Sequence, residues 1–177
     1  MVPVLILPGL GGSGPEHWQT RWEAVEPSSR RVHMPDWDRP DFETWLALLD
    51  VAAKSTARAP VIVAHSLGCL LVAHWARRGG VARAALLVAV PDPDGPAFPA
   101  VARSFGPVPL EPLGFPARVV ASHDDSYGSF AFAARCAKAW GSPLTDVGDA
   151  GHINADSGLG DWAAGRKLLG ELVAGAR

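Results

Sequence analysis

The chain has 177 residues, 48% hydrophobic and 19% charged, which is enough apolar material for one folded domain over residues 1–177 and too little chain for two. Its 16 Lys and Arg against 18 Asp and Glu give a formal net charge of −2 without runs of like charge, which argues against a nucleic-acid-binding surface. No apolar stretch approaches the roughly 20 residues of a membrane-spanning helix, so we expect no membrane association.

The first element in chain order is residues 2–7, a short apolar run that ends at Pro8 and Gly9. Since no basic residues precede it, this run is typical of a buried strand rather than of a signal peptide. Five further runs of this kind are predicted strands: 31–34, 60–64, 84–90, 117–121 and 144–147. Four segments between them have helical spacing of apolar residues: 42–53, 67–78, 130–140 and 162–174. This alternation predicts an α/β fold, a three-layer sandwich around a mostly parallel six-stranded sheet.

The loop after the first strand is rich in glycine. Residues 9–14 have glycine at all three positions of the dinucleotide-binding pattern G-x-G-x-x-G, and Asp36 follows about twenty residues later. That pattern requires its third glycine inside a helix, whereas Pro15 biases Gly14 away from helical backbone angles. Nucleotide binding is therefore an alternative that this loop does not favour.

Several residues near the ends of the first three strands are candidates for a substrate pocket. They are Gly9, Gly11, His17, Trp18, Trp37 and His65. Trp18 and Trp37 could equally be packing residues of the core.

Segment 61–68 carries the strongest chemical signal in the sequence. It is a buried strand that runs into Ser66 and then into an apolar helix, with Ala64 and Gly68 two positions to either side. Such small residues are typical of a nucleophile elbow, a tight strand-to-helix turn that exposes a serine hydroxyl, although glycine is usual where Ala64 stands. The alternative is a plain helix-capping serine.

Two backbone amides are candidates for an oxyanion hole beside this serine. The amide of Leu67 lies at the start of the following helix, where N–H groups are free and the helix dipole is positive. The amide of Leu10, in the loop after the first strand, is the expected second donor.

A serine hydroxyl needs a neighbouring base, and the best candidate among the six histidines is His152. It lies in the small-residue loop 148–154 that follows the last predicted strand. The remaining histidines are placed elsewhere: His33 in a strand, His74 in a helix, His17 in the first loop, His65 beside the serine and His123 beside the candidate acid. A solvated loop histidine is the alternative for His152.

The third group of such a site is a carboxylate that orients the imidazole. Asp124 and Asp125 both follow the strand 117–121. Because successive residues at a strand end face different ways, only one of them is expected to reach His152, and the other would shape the turn.

The long proline-rich segment 91–116 is either a functional loop or a surface excursion. We expect it to border the site and to restrict the site to small or extended acyl chains. Cys69 and Cys136 fall in predicted helices, so we expect buried free thiols, no metal site, and a reducing, cytoplasmic compartment.

Taken together, these motifs resemble the α/β-hydrolase superfamily, and within it the small serine hydrolases typified by retinoblastoma-binding protein nine and YdeN-like bacterial proteins. The resemblance covers the whole chain, and its anchors are Pro8-Gly9, His17-Trp18, 35–38, 64–68, 122–125 and 148–154. It implies a small α/β-hydrolase fold without a large cap domain. Where the family often has proline after the acid, this chain has Ser126.

The resemblance also implies an activity: a serine hydrolase that needs no cofactor and cleaves a small ester or amide through an acyl-enzyme. In that family the acid tends to lie a few residues past the strand, which favours Asp125 over Asp124, with Ser66 as nucleophile and His152 as base. Some relatives are described as binding proteins. A protein-interaction module that retains the fold is therefore the alternative, although nothing in the sequence indicates a protein partner.

Overall fold

The computed structural model describes residues 2–176, in which six parallel strands form one sheet with the order β2-β1-β3-β4-β5-β6. Their bounds are β1 Val4–Leu7, β2 Ser29–Arg31, β3 Val61–His65, β4 Ala84–Val88, β5 Ala117–Ala121 and β6 Leu144–Asp146. The first strand is central enough to pair on both sides, since Val4 lies opposite Ser29 of β2 and Val61 of β3. The predicted six-stranded α/β fold is confirmed, and all five strand pairings are parallel.

Helices connect the strands in chain order: α1 Trp18–Val25, α2 Phe42–Lys54, α3 Leu67–Arg77, α4 Phe130–Trp140 and α5 Ala163–Gly175. Two short 3-10 helices, Ala100–Phe105 and Ala155–Ser157, lie in the connections after β4 and β6. Side chains cap the N-termini of several of these helices. The Asp41 carboxylate accepts a hydrogen bond from the Thr44 amide at 2.9 Å, and the Ser129 hydroxyl accepts one from the Phe132 amide.

The core is divided by the sheet into two layers. Strand side chains alternate between its faces, so Leu5 and Leu7 pack with the apolar faces of α2, α3 and α4, whereas Ile6 packs with those of α1 and α5. Strands β3 and β4 are buried along their whole length, as expected for parallel strands covered on both faces. These three layers match the predicted sandwich.

Two details of the sequence prediction were wrong. The second strand is Ser29–Arg31 rather than 31–34: Val32 and Met34 are buried, but the ladder ends, and His33 is exposed beyond it. The alternation of apolar residues at Val32 and Met34 indicates that these side chains are buried, but it does not indicate that strand pairing continues there. The bounds of helix α1 were not predicted, because the helix is short and half of its eight residues are polar; it buries chiefly Trp18 and Trp22.

Cys69 and Cys136 are buried free thiols, as predicted. Within residues 2–176, no helix combines the length and the apolar character needed to cross a membrane.

The topology brings four connections to one edge of the sheet. Leu10 follows β1, Ser66 follows β3, Asp125 follows β5 and His152 follows β6. Since the strands are parallel, their carboxyl ends share this edge, which is where open α/β sheets form their sites.

Candidate active site

Ser66 occupies a strained turn between β3 and α3. Its backbone angles are φ 53° and ψ −123°, a region that residues with a side chain seldom adopt, and its side chain makes no capping hydrogen bond to the helix. Gly68 is required because a Cβ there would lie 2.5 Å from the Leu7 carbonyl oxygen. Ala64 is fully buried and is accommodated at the other small position. This is nucleophile-elbow geometry rather than a capping serine.

The side chains of Ser66, His152 and Asp125 form a hydrogen-bonded row. The Ser66 Oγ lies 2.8 Å from Nε2 of His152, and both carboxylate oxygens of Asp125 lie 2.9 Å from Nδ1 of the same ring. The side chains of His152 and Asp125 are only 11% and 2% exposed. An imidazole held between a carboxylate and a hydroxyl is the arrangement that activates a serine for attack on a carbonyl carbon.

Asp124 takes a different position from its neighbour. Its Oδ1 accepts hydrogen bonds from the Ser122 hydroxyl at 2.6 Å and from the Gly151 amide at 2.7 Å. These bonds hold the pKa of this exposed carboxyl below its ordinary value. Asp124 thus joins the loop after β5 to the loop that carries His152, without contacting the imidazole.

The backbone of the His152 loop is fixed by groups from three other segments. The Trp18 indole N–H donates to the Ile153 carbonyl at 2.8 Å, the Ala150 amide donates to the Ser122 hydroxyl, and His65 Nε2 lies 2.9 Å from the His152 carbonyl oxygen. Because a carbonyl only accepts, His65 donates through Nε2. The loop is therefore held on both sides of His152.

The loop that carries Leu10 comes close to the Ser66 elbow, where Leu67 begins the helix. A Cβ on Gly9 would lie 2.8 Å from the Ser66 Cβ and 3.0 Å from the Leu67 nitrogen, so only glycine lets the first loop approach the elbow this closely. Within residues 2–176, neither the Leu10 amide nor the Leu67 amide donates to another backbone or side-chain group, unlike Gly11, whose amide bonds the Trp37 carbonyl. The two free amides have the surroundings expected of an oxyanion hole.

A cavity of about 270 Å³ opens beside Ser66; we call it the Ser66 cavity. Its apolar wall is Leu10, Leu67, Pro91, Phe98, Pro99, Ala102 and Tyr127. Its polar groups are Ser13, His17, His65, His152 and Asn154. The predicted contact of the proline-rich segment with the site is present, since four of these residues belong to segment 91–116.

Two buried histidines border this cavity besides His152. Burial, followed by the charges of Arg31 and His152, lowers the pKa of His17 from 6.5 to about 4. Burial also holds the pKa of His65 well below its ordinary value, with added repulsion from His152 and His17. Both rings are therefore neutral near pH 7, which keeps positive charge away from the candidate base.

The pocket predicted from the sequence is only partly the one observed. Gly11, His17 and His65 line the Ser66 cavity, whereas Gly9, Trp18 and Trp37 do not. Gly9 packs against the elbow, Trp18 is buried against Trp22 and Trp162, and the Trp37 ring covers Gly12.

Sequence reasoning did not name several of the residues that line the cavity, among them Tyr127, Phe98 and Asn154. The Tyr127 ring centroid lies 4.5 Å from that of His152, which its position two residues after Asp125 could have indicated. Phe98 and Asn154 lie in irregular loops that carry no periodic signal.

The glycine loop lacks the context of a dinucleotide site. Gly14 lies outside any helix, and α1 begins only at Trp18, with His17 as its N-cap. In a dinucleotide fold, the third glycine lies within the helix that receives the pyrophosphate. Among the described residues, no three His, Cys, Asp or Glu side chains are grouped to hold a metal ion.

Comparisons with known proteins find a matching family model and similar solved structures. A family model described as serine hydrolase matches residues 4–171. A YdeN-like hydrolase from Pectobacterium atrosepticum is similar at 32% identity, with a TM-score of 0.89 over 98% of this chain and 91% of that one.

Two further solved structures share the fold at lower identity. The ydeN gene product of B. subtilis is 21% identical, with a TM-score of 0.83 over 98% of this chain and 100% of that one. A hydrolase of the α/β superfamily from Xanthomonas campestris is 24% identical, with a TM-score of 0.65 over 96% and 99% of the two chains. No curated protein sequence matches the chain significantly.

Proposed function

The chain belongs to the serine hydrolase family, and we propose that it hydrolyses a small carboxylic ester or amide through an acyl-enzyme on Ser66. The observation that carries the proposal is the row of hydrogen bonds from Ser66 to His152 and on to Asp125, at the wall of a cavity of about 270 Å³. Side chains, backbone amides and water supply every group that the reaction needs.

In the proposed first half-reaction, His152 Nε2 removes the proton from the Ser66 hydroxyl while Oγ attacks the substrate carbonyl carbon. The carbonyl oxygen becomes negatively charged and accepts hydrogen bonds from the amides of Leu10 and Leu67. The tetrahedral intermediate collapses when His152 gives its proton to the departing alcohol or amine. Ser66 then carries the acyl group as an ester.

In the second half-reaction, water replaces the alcohol. His152 takes a proton from the water as its oxygen attacks the acyl carbon, and the same two amides hold the oxyanion. Collapse breaks the bond to Ser66 Oγ, which recovers its proton from His152. The products are a carboxylic acid and the alcohol or amine, and the enzyme returns to its starting state.

Asp125 is proposed to act on the imidazole rather than on the substrate. Its carboxylate accepts a hydrogen bond from the Nδ1–H of His152, which keeps the proton on Nδ1 and leaves the lone pair on Nε2, the atom that faces Ser66. The same negative charge stabilises the imidazolium that forms in each half-reaction. Because the Asp125 side chain is buried, this interaction is little weakened by solvent.

The test uses Ser66→Ala, His152→Ala and the double variant, assayed on a short-chain ester such as propyl butanoate. Each single variant should lose nearly all kcat, and the double variant should be no slower, because the two residues act as one unit. Melting temperatures close to that of the parent serve as the control for folding. Losses that multiply in the double variant would contradict the proposed unit.

A further inference from the structure

Gln19, in the first turn of α1, is a fully buried polar residue whose side-chain amide is bonded through both nitrogen and oxygen. Its Nε2 donates to the carbonyl oxygens of Leu7 at 3.3 Å and of Val63 at 3.0 Å. Its Oε1 accepts a hydrogen bond from the Ser13 hydroxyl at 2.7 Å. Because carbonyl oxygens only accept, these partners fix the orientation of the amide. A buried network of this kind holds its members in one arrangement.

The three partners of this buried amide lie in the two segments that form the proposed oxyanion hole. Leu7 ends β1 and Ser13 lies in the loop that follows, three residues before and three residues after Leu10. Val63 belongs to β3, three residues before Ser66. The side chain therefore ties both ends of the loop that carries Leu10 to the strand that leads into Ser66.

The loop between these contacts has a backbone conformation that requires support. Gly11, Gly12 and Ser13 have positive φ angles of 76°, 74° and 54°, and this conformation is costly for Ser13 because serine has a Cβ. The Ser13 carbonyl accepts hydrogen bonds from the Thr20 hydroxyl at 2.6 Å and from Arg31 Nη1 at 3.2 Å. Side chains of α1 and β2 thus stabilise the shape of this loop.

An oxyanion hole depends on such support, because its donors must lie about 2.7–3.1 Å from the place where the oxyanion forms. A shift of about 1 Å in the loop would lengthen that hydrogen bond beyond the useful range. Gln19 itself does not line the Ser66 cavity, so its side chain can affect the reaction only through the segments that it holds.

We propose that Gln19 is a positioning residue of the oxyanion hole, which holds the Leu10 loop in place beside Ser66. This inference rests on the proposed hydrolase function and assigns one of its requirements to a residue outside the cavity. Loss of the Gln19 contacts should weaken binding of the transition state more than binding of the substrate, because the carbonyl oxygen gains its negative charge only as the reaction proceeds.

The test begins with Gln19→Met, which keeps the length of the side chain and removes its hydrogen bonds. For propyl butanoate, kcat should fall about tenfold to a hundredfold while KM stays within about threefold of the parental value. The loss should be smaller than that caused by outright removal of an oxyanion-hole donor, which is about 10²–10³ in kcat. Melting curves establish the temperature at which the variant is folded, and the kinetics are measured well below it.

Inhibition by 1,1,1-trifluoropentan-2-one measures the oxyanion hole directly. In the adduct, Ser66 Oγ bonds to the ketone carbon, the hydroxyl proton passes to His152, and the ketone oxygen becomes the oxyanion; no leaving group departs. For Gln19→Met, the inhibition constant should rise by the factor by which kcat/KM falls. A role in folding alone would lower the melting temperature and leave the inhibition constant unchanged, which would overturn the inference.

Trp75→Phe is the matched control, because it too removes a hydrogen bond of a buried side chain. The Trp75 indole donates to the Asp50 carboxylate at 3.2 Å, near the end of α3 that is remote from Ser66. This variant should have a lower melting temperature, with kcat and the inhibition constant at parental values. An equal rise of the inhibition constant in Trp75→Phe would show that any loss of stability produces the effect, and the inference would be wrong.

Ser13→Ala is a milder second variant, since it removes only the hydroxyl that bonds Gln19 Oε1. Its inhibition constant should rise by about threefold or more, with a matching fall in kcat/KM. If Gln19→Met does not fold, parental values of both quantities for Ser13→Ala overturn the inference.

Labelling of Ser66 by a fluorophosphonate separates the two levels of the proposal. If the parent protein is labelled at Ser66 and cleaves the ester, and Gln19→Met retains the parental kcat and inhibition constant, the positioning role is wrong and the hydrolase function stands. If the parent is neither labelled nor active on short-chain esters, the hydrolase function fails and the inference fails with it.

Discussion

Asp125 directs both carboxylate oxygens to Nδ1 of His152 at 2.9 Å, whereas Asp124, one residue earlier, bonds the Ser122 hydroxyl and the Gly151 amide. Adjacent aspartates thus have separate tasks. One orients an imidazole, and the other ties together the two loops that bring the imidazole to the serine.

Replacing each aspartate by asparagine distinguishes these tasks. Asp125→Asn should lower kcat by on the order of 10⁴-fold, because an amide no longer stabilises the imidazolium or the required tautomer. Asp124→Asn should keep kcat within about tenfold, because it weakens only the loop contacts to Ser122 and Gly151. Steady-state kinetics on propyl butanoate, with melting curves as the folding control, give the comparison. The reverse order of kcat loss would assign the catalytic carboxylate to Asp124.

The same Gly→Ala change should have opposite effects in two helices. In α3, a Cβ on Gly68 would collide with the Leu7 carbonyl at 2.5 Å, so Gly68→Ala should lower the free energy of unfolding by about 1–3 kcal/mol and impair hydrolysis. In α5, a Cβ on Gly170 meets nothing within 4 Å, and Gly170→Ala should stabilise by about 0.5–1 kcal/mol. Denaturant unfolding measures both; a destabilised Gly170→Ala or a neutral Gly68→Ala would contradict the packing described for these helices.

The protein should become less stable as the pH is lowered, because His17 is buried in its neutral form. Its pKa is about 4 in the folded protein and 6.5 ordinarily, so between these values the unfolded chain binds a proton that the folded chain does not. The free energy of unfolding should therefore decrease as pH falls through this window, with roughly 3 kcal/mol of the decrease due to His17.

His17→Asn, which keeps the helix cap, should show a smaller decrease over the same pH range, while the exposed-site variant His33→Asn serves as control. Urea unfolding of the three proteins at several pH values measures the slopes. Equal slopes for His17→Asn and the parent would show that His17 is not held neutral by the fold.

Acyl-chain length should be limited by the wall that segment 91–116 contributes. Pro91, Phe98 and Pro99 bound one side of a cavity of only about 270 Å³. Short acyl groups should therefore give the highest kcat/KM in a series of nitrophenyl esters from acetate to dodecanoate. A steady rise in kcat/KM towards dodecanoate would mean that this wall does not confine the acyl chain.

The fold was predictable because its signals are local. Short apolar runs such as 61–65 alternate along the whole chain with segments in which apolar residues have helical spacing. Such uninterrupted apolar runs are typical of buried parallel strands. The bounds of β2 were not predictable, because Val32 and Met34 are buried by packing beyond the end of the ladder. The bounds of helix α1 were not predicted because the helix is short and half of its residues are polar.

Those residues of the candidate site that directly follow the ends of strands could be predicted from the sequence. Ser66 and His152 lie in turns rich in small residues, which is typical of catalytic loops, and parallel strands bring such loops to one edge of the sheet. The direction of a side chain is set by tertiary packing, which is why Trp18 supports the Ile153 carbonyl instead of lining the cavity. For the same reason, the unpaired buried Nε2 of His17 could not be inferred from its position in the sequence.

The central claim is that Ser66 is a base-activated nucleophile, and covalent labelling by a fluorophosphonate tests it most directly. Native protein is reacted with the probe, digested and mapped by mass spectrometry, with Ser66→Ala and heat-denatured protein as controls. The account predicts rapid modification at Ser66 alone, lost in both controls, because only a serine paired with His152 beside free amides reacts quickly. Absence of labelling in the folded protein, or labelling at another serine, would contradict it and favour an interaction module that retains the hydrolase fold.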